Sequence, residues 1–222
     1  MGLFGKKVDP PPPAPPAAPA FRLECAADIG QGPMPVFPML MGPAWKPAPG
    51  QLARPLIKGP ALPDIPNVAL VYLIPTPGSP VPSRGYIRQD RVDAIRKTVK
   101  DFESEALHNI SQRKAAWQVM SSSPAGKVLA CTDDYLAAER ILDPAFLRLA
   151  QAQIGEESLV IGIPARGHLF AAGLSAFTRG AGEARAFATM MEQLCKQAGE
   201  LGISRWVYTV IGGTINNILE VR

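Results

Sequence analysis

Prolines divide this chain in two. Of the 24, 21 lie at or before Pro82, leaving only Pro124, Pro144 and Pro164 in the last 140 of the 222 residues. Each proline fixes its own φ and removes an amide donor, so so dense a run cannot sustain regular helix or sheet hydrogen bonding. Residues 1–20 carry Pro10 to Pro13, Pro15, Pro16 and Pro19. That composition favours polyproline II, which serves either as a semi-rigid spacer or as a PxxP ligand for an aromatic groove.

Residues 21–66 differ from a solvating tail. They interleave Met34, Phe37, Leu40, Trp45 and other large apolar side chains with Pro and Gly, whereas disordered segments are poor in such residues. The expectation is an extended apolar arm that lies on a surface, its own or a partner's. If it does not fold back, residues 34–45 form an exposed apolar patch, and Met34, Phe37, Leu40 and Trp45 are the binding residues. Arm exchange between copies would then give an oligomer.

A globular domain is expected over 67–222. Residues 68–74 form an apolar run that reads as a buried strand. Val92, Ile95, Val99, Phe102, Ala106, Ile110 and Trp117 recur at three- and four-residue steps, predicting one amphipathic helix over about 88–119. Residues 127–131 read as a second strand. Asp134 and Asp143-Pro144 carry helix-start chemistry, and Gly155 marks a helix end. Strands over about 158–164 and 168–174 precede a third helix at about 182–200. A hairpin then turns at Gly212-Gly213, with Val210 opposite Ile215, Tyr208 opposite Asn217, Trp206 opposite Leu219 and Arg205 opposite Glu220. The order β-α-β-α-β-β-α-β-β predicts an α+β domain, mainly antiparallel sheet packed by three helices.

Charge and cysteine content exclude several classes. Residues 1–86 hold seven basic and four acidic side chains, and residues 87–222 hold 16 and 15. The basic pI therefore comes mainly from the leader and is poor evidence for nucleic acid. Residues 88–114 carry seven basic and five acidic groups, a mixture that describes a solvated helix face. Cys25, Cys131 and Cys195 are odd in number and far apart, which suits neither a disulfide framework nor zinc. No apolar run reaches the 18 residues of a membrane span and no secretory leader is legible, so the expected location is the cytoplasm. Nothing calls for a cofactor: Gly162 and Gly167-His168 lack the Lys-Ser/Thr pair of a phosphate loop.

The most suggestive chemistry lies in residues 159–173, where two apolar runs flank Pro164-Ala165-Arg166-Gly167-His168. Arg166 and His168 alternate about Gly167 and are expected to share one side, with Asp133 as the acidic partner if its strand lies alongside. Arg166 would hold an anionic substrate and His168 would act as acid or base with Asp133, as in a hydrolase or transferase. The competing explanation is structural: Asp134 caps a helix, Arg166 pairs with Asp133, and Arg140 with Asp143 is an ion pair or cap. His108 falls on the polar side of its helix. A non-catalytic module that binds a protein partner through the arm is the leading expectation, and the enzyme the alternative.

Residues 135–142 (Tyr-Leu-Ala-Ala-Glu-Arg-Ile-Leu), the strand 159–166 (Leu-Val-Ile-Gly-Ile-Pro-Ala-Arg), the helix from Phe187 and the hairpin at Gly212-Gly213 follow one another at a spacing that resembles the YtpQ-like family of bacterial domains of unknown function. The resemblance covers residues 68–222. Gly167 stands where members carry an acidic residue after a Pro-x-Arg turn, and the Pro-rich arm replaces their N-terminal portion. The resemblance implies an α+β fold in a bacterial cytoplasmic protein and carries no activity.

Overall fold

The computed structural model describes residues 34–57, 64–79, 81–120, 127–132, 134–179 and 181–219. The leader over 1–20 lies outside the described residues, as do Asp133, Ser121 to Ser123 and Glu220. The fold is α+β, and the strands form two antiparallel sheets.

The first sheet takes in residues 36–41 and 53–55 of the segment expected to lie as an arm on a surface. Val36–Met41 is a strand (β1) whose six residues are all buried. Ala53–Pro55 (β2), Asn67–Ile74 (β3) and Ser83–Tyr86 (β4) complete the sheet. β3 is central: Val71 pairs with Phe37 of β1 and with Tyr86 of β4, and Ala69 pairs with Met39 of β1 and Ala53 of β2. β1 is therefore an edge strand, where a proline is tolerated. Phe37, Met39 and Met41 pack with Val71, Leu136 and Ile110. On the opposite face Val36 and Leu40 enter two other parts of the core. Both faces are covered, so the strand reads as continuous apolar sequence without alternation.

One long helix was expected over 88–119, and two short ones stand there. Gln89–Ala94 (α1) ends before Arg96, which adopts φ +53°. Val99–Gln112 (α2) then restarts behind a capping box, with Thr98 and Asp101 exchanging side-chain to backbone bonds. The box satisfies two amides that a continuous helix would have bonded internally. Phe102, Ala106 and Ile110 are the buried stripe of α2, and His108 is exposed.

The second sheet runs β10-β9-β7-β8-β6-β5. Its strands are Gln118–Val119 (β5), Val128–Cys131 (β6), Ser158–Gly162 (β7), Leu169–Gly173 (β8), Val207–Ile211 (β9) and Thr214–Leu219 (β10). Pro144–Ile154 (α3) starts behind Asp143 and ends at Gly155, φ +85°. A 3₁₀ turn, Ala138–Leu142, precedes it. Leu129, Ile161, Ala171 and Val210 face α3, while Val160, Phe170 and Val207 face Phe187 and Met191 of Ala181–Ala198 (α5). Leu174–Arg179 (α4) joins β8 to α5. A Cβ at Gly162 would sit 2.0 Å from Met191 Sδ, so any side chain there would have to displace Met191.

Two further expectations are corrected. The described residues hold five α-helices and ten strands instead of three helices and the order β-α-β-α-β-β-α-β-β. The hairpin keeps Val210 opposite Ile215, but a bulge after Ile215 slips the rest, placing Thr209 opposite Asn217, Tyr208 opposite Ile218 and Val207 opposite Leu219. The two sheets share one core: Leu40 and Val68 of the first, with Leu56 just after β2, pack in the same cluster as Leu159, Leu169 and Tyr208 of the second.

Candidate functional site

Arg166 sits in the turn between β7 and β8, which the backbone pins firmly. Arg166 N donates to Leu201 O (3.0 Å), Ile203 N to Pro164 O (2.9 Å) and Ser204 N to Ile163 O (3.2 Å). Gly167 takes φ +74°, and His168 N closes the turn on Ala165 O at 3.1 Å. That left-handed conformation favours glycine.

The guanidinium of Arg166 points inward. Arg166 Nη1 lies 2.5 Å from Glu139 Oε1, and Nη2 donates to Leu40 O. Glu139 Oε1 also accepts from Leu40 N at 2.9 Å. One residue of β1 thus has both backbone groups taken by one ion pair. The reason lies in strand geometry. Leu40 belongs to the positions of β1 that turn their N–H and C=O to the free edge. Pro38, two residues back, has no N–H to leave unpaired there, and Val36 O accepts from Asn109 Nδ2 at 2.9 Å. Side chains therefore serve the edge in place of another strand.

Two more pairs line this junction. Arg113, capping the end of α2, places Nη2 2.5 Å from Asp134 Oδ1 and Nε 3.0 Å from Oδ2. Arg140 Nη1 meets Asp143 Oδ2 at 3.0 Å, and Arg140 Nη2 donates to Arg113 O. Asp143 Oδ1 accepts from Ala145 N and Phe146 N at the start of α3. The guanidinium carbons of Arg166 and Arg140 lie 5.7 Å and 5.0 Å from the ring centres of Tyr135 and Phe146. Three guanidinium and three carboxyl groups make one seam of ion pairs.

Burial dominates its electrostatics. It pushes the Glu139 carboxyl above its ordinary range, opposed by the Arg166 charge and the Leu40 amide. It also raises the Tyr135 phenol, again against Arg166. Glu139 Oε2 and Arg140 Nε are buried without a hydrogen-bond partner.

Of the three residues expected to form a catalytic group, Arg166 and His168 are described and Asp133 lies outside the described residues. Arg166 engages Glu139 and Leu40 O, so the acid that meets it among the described residues is Glu139. The His168 ring turns back, with Nδ1 3.0 Å from Arg166 O and the ring stacked on Phe170 at 6.2 Å. Arg140 with Asp143 is the ion pair and cap expected of them, and Asp134 accepts from Leu136 N. Glu139 was missed; its signal is a Glu-Arg pair inside the apolar run 135–142. Among the described residues no three His, Cys, Asp or Glu groups converge as a metal site.

The binding residues are also redistributed. Phe37 and Leu40 are core, which corrects their reading as displayed anchors. Trp45 is half-buried and stacks on Tyr86 at 5.6 Å. Met34 alone of the four is exposed, at 41%. No helix among the described residues is long and apolar enough to cross a membrane. No family model, curated protein or solved structure matches the chain.

Proposed function

We propose that this protein is a non-catalytic accessory module of the bacterial cytoplasm that binds a protein partner through its proline-rich leader. One observation supports the reading above others: β1 is fastened at Leu40 by the Glu139–Arg166 pair, and Met34, the first of the described residues, is exposed. A ligand segment is most useful when it departs from a fixed, accessible point. The leader's PxxP spacing suits an aromatic-lined groove that recognises polyproline II. Arg166, the group that would hold an anionic substrate in the hydrolase or transferase reading, is paired with Glu139, which favours the binding reading.

The test is a truncation at Met34, which spares both sheets; a cut near residue 66 would remove β1, β2 and Leu40. Affinity capture with the full chain, the 34–222 chain, and a full chain with Pro11, Pro12, Pro15 and Pro16 changed to Ala should show partners that only the unaltered leader retains, at unchanged thermal midpoints. Identical capture by all three would reject the reading.

A further inference from the structure

We propose that the cleft between α2 and β2 binds a free α-amino acid with an apolar side chain. The cavity there has a volume of about 180 Å³, and Leu52, Leu70, Val99 and Leu107 are among its walls. An apolar cavity of about 150 Å³ already accepts benzene, so a leucine or phenylalanine side chain fits this one.

Arg54 and Glu103 decide the class of ligand. Both line the cavity and both are part-exposed, at 39% and 35%, which places them at its mouth. Arg54 Nε donates to Glu103 Oε1 at 2.8 Å, and Arg54 Nη1 reaches Pro55 O at 3.4 Å. Among the described residues, no hydrogen bond engages Arg54 Nη2 or Glu103 Oε2. A fixed cation with a spare donor beside a fixed anion with a spare acceptor complements a zwitterion. The ligand's carboxylate would meet Arg54, its ammonium would meet Glu103, and its side chain would enter the cavity. A fatty acid would leave Glu103 facing its carboxylate, and an alkylamine would leave Arg54 facing its ammonium. A peptide end supplies only one of the two charges.

Isothermal titration of the full chain with L-leucine, L-phenylalanine and glycine tests this directly. Saturable binding of the first two is expected, with glycine on the order of 100-fold weaker at about fourfold per buried CH₂ group. N-acetyl-leucine and leucinamide, which each lack one charge, should bind at least about tenfold less tightly, as should L-leucine to Arg54→Gln or Glu103→Gln, one charge-assisted bond being lost in each case. Val99→Phe fills the cavity and should abolish binding; should it fail to fold, Leu107→Phe serves the same purpose. The proposal falls if leucine binds no better than glycine, if the blocked amino acids bind as well as leucine, or if a folded cavity-filling variant binds unchanged.

Discussion

Replacing both members of the Glu139–Arg166 pair by methionine separates two accounts of the seam. An ordinary buried ion pair gains little over apolar residues of similar volume, and its replacement is often neutral or stabilising by about 1–4 kcal/mol. Here the pair also serves Leu40, whose amide donates to Glu139 and whose carbonyl accepts from Arg166. Glu139→Met with Arg166→Met leaves both groups buried and unmet, at about 1–3 kcal/mol each, so a loss of about 2–6 kcal/mol is expected. Against the roughly 5–15 kcal/mol that holds a typical domain, that is a large fraction. Urea unfolding followed by circular dichroism gives the difference from the midpoint at constant slope. A double variant as stable as the parent, or more so, would refute the claim that the pair stands in for a neighbouring strand.

Single replacements should differ in their response to acid. The folded-state pKa of Glu139 lies above its ordinary value of 4.5, so the folded protein holds that proton more tightly than the unfolded chain. Its contribution is fully present below about 4.5 and is lost as pH rises through the folded value. Arg166→Met removes the charge that opposes this rise, so its deficit at pH 8 should shrink towards pH 5, by at most about 1.4 kcal/mol per pH unit. Glu139→Gln instead strands a guanidinium that cannot be neutralised, costing about 3–5 kcal/mol with no such recovery; parallel pH profiles for the two variants would contradict the assignment. In the hairpin, Gly213→Ala forces φ +78° on a side chain whose Cβ would lie 2.7 Å from Pro144 O, and should cost about 1–3 kcal/mol. Gly212→Asn, at φ +60° with nothing nearby, should stay within about 0.5 kcal/mol by the same unfolding assay.

Legibility followed how local the determining interactions are. The caps at Asp143 and Gly155, the β7–β8 pair and the Gly212-Gly213 turn are each specified within a few residues, and each stands where the spacing placed it. The bulge after Ile215 has no such local mark, so the far half of the hairpin register slipped. The helix break at Arg96 was masked because Val92, Val99, Phe102 and Ala106 keep helical spacing across it, though Thr98-x-x-Asp101 carried the restart. β1 was obscured by Pro38 and by apolar residues on both faces. Pro38 was nevertheless informative, since a strand that contains it belongs at an edge.

The seam shows why the site chemistry was harder to read than the fold. Glu139 and Arg140 interrupt an apolar run, and a helical reading sends such residues to the solvent side. The chain instead makes turns over 134–142 that bury all of it but Leu142, which is half-buried. Charge is retained there because the edge of β1 presents a donor and an acceptor on one residue, Leu40, and no apolar side chain can meet either. A carboxylate and a guanidinium meet both while neutralising each other, at the cost of the desolvation that raises Glu139. Arg166 and Glu139 stand 27 residues apart, and Leu40 is a further 99 from Glu139. A short motif around Arg166 shows a charged turn, but the carbonyl it serves belongs to a strand at the other end of the chain.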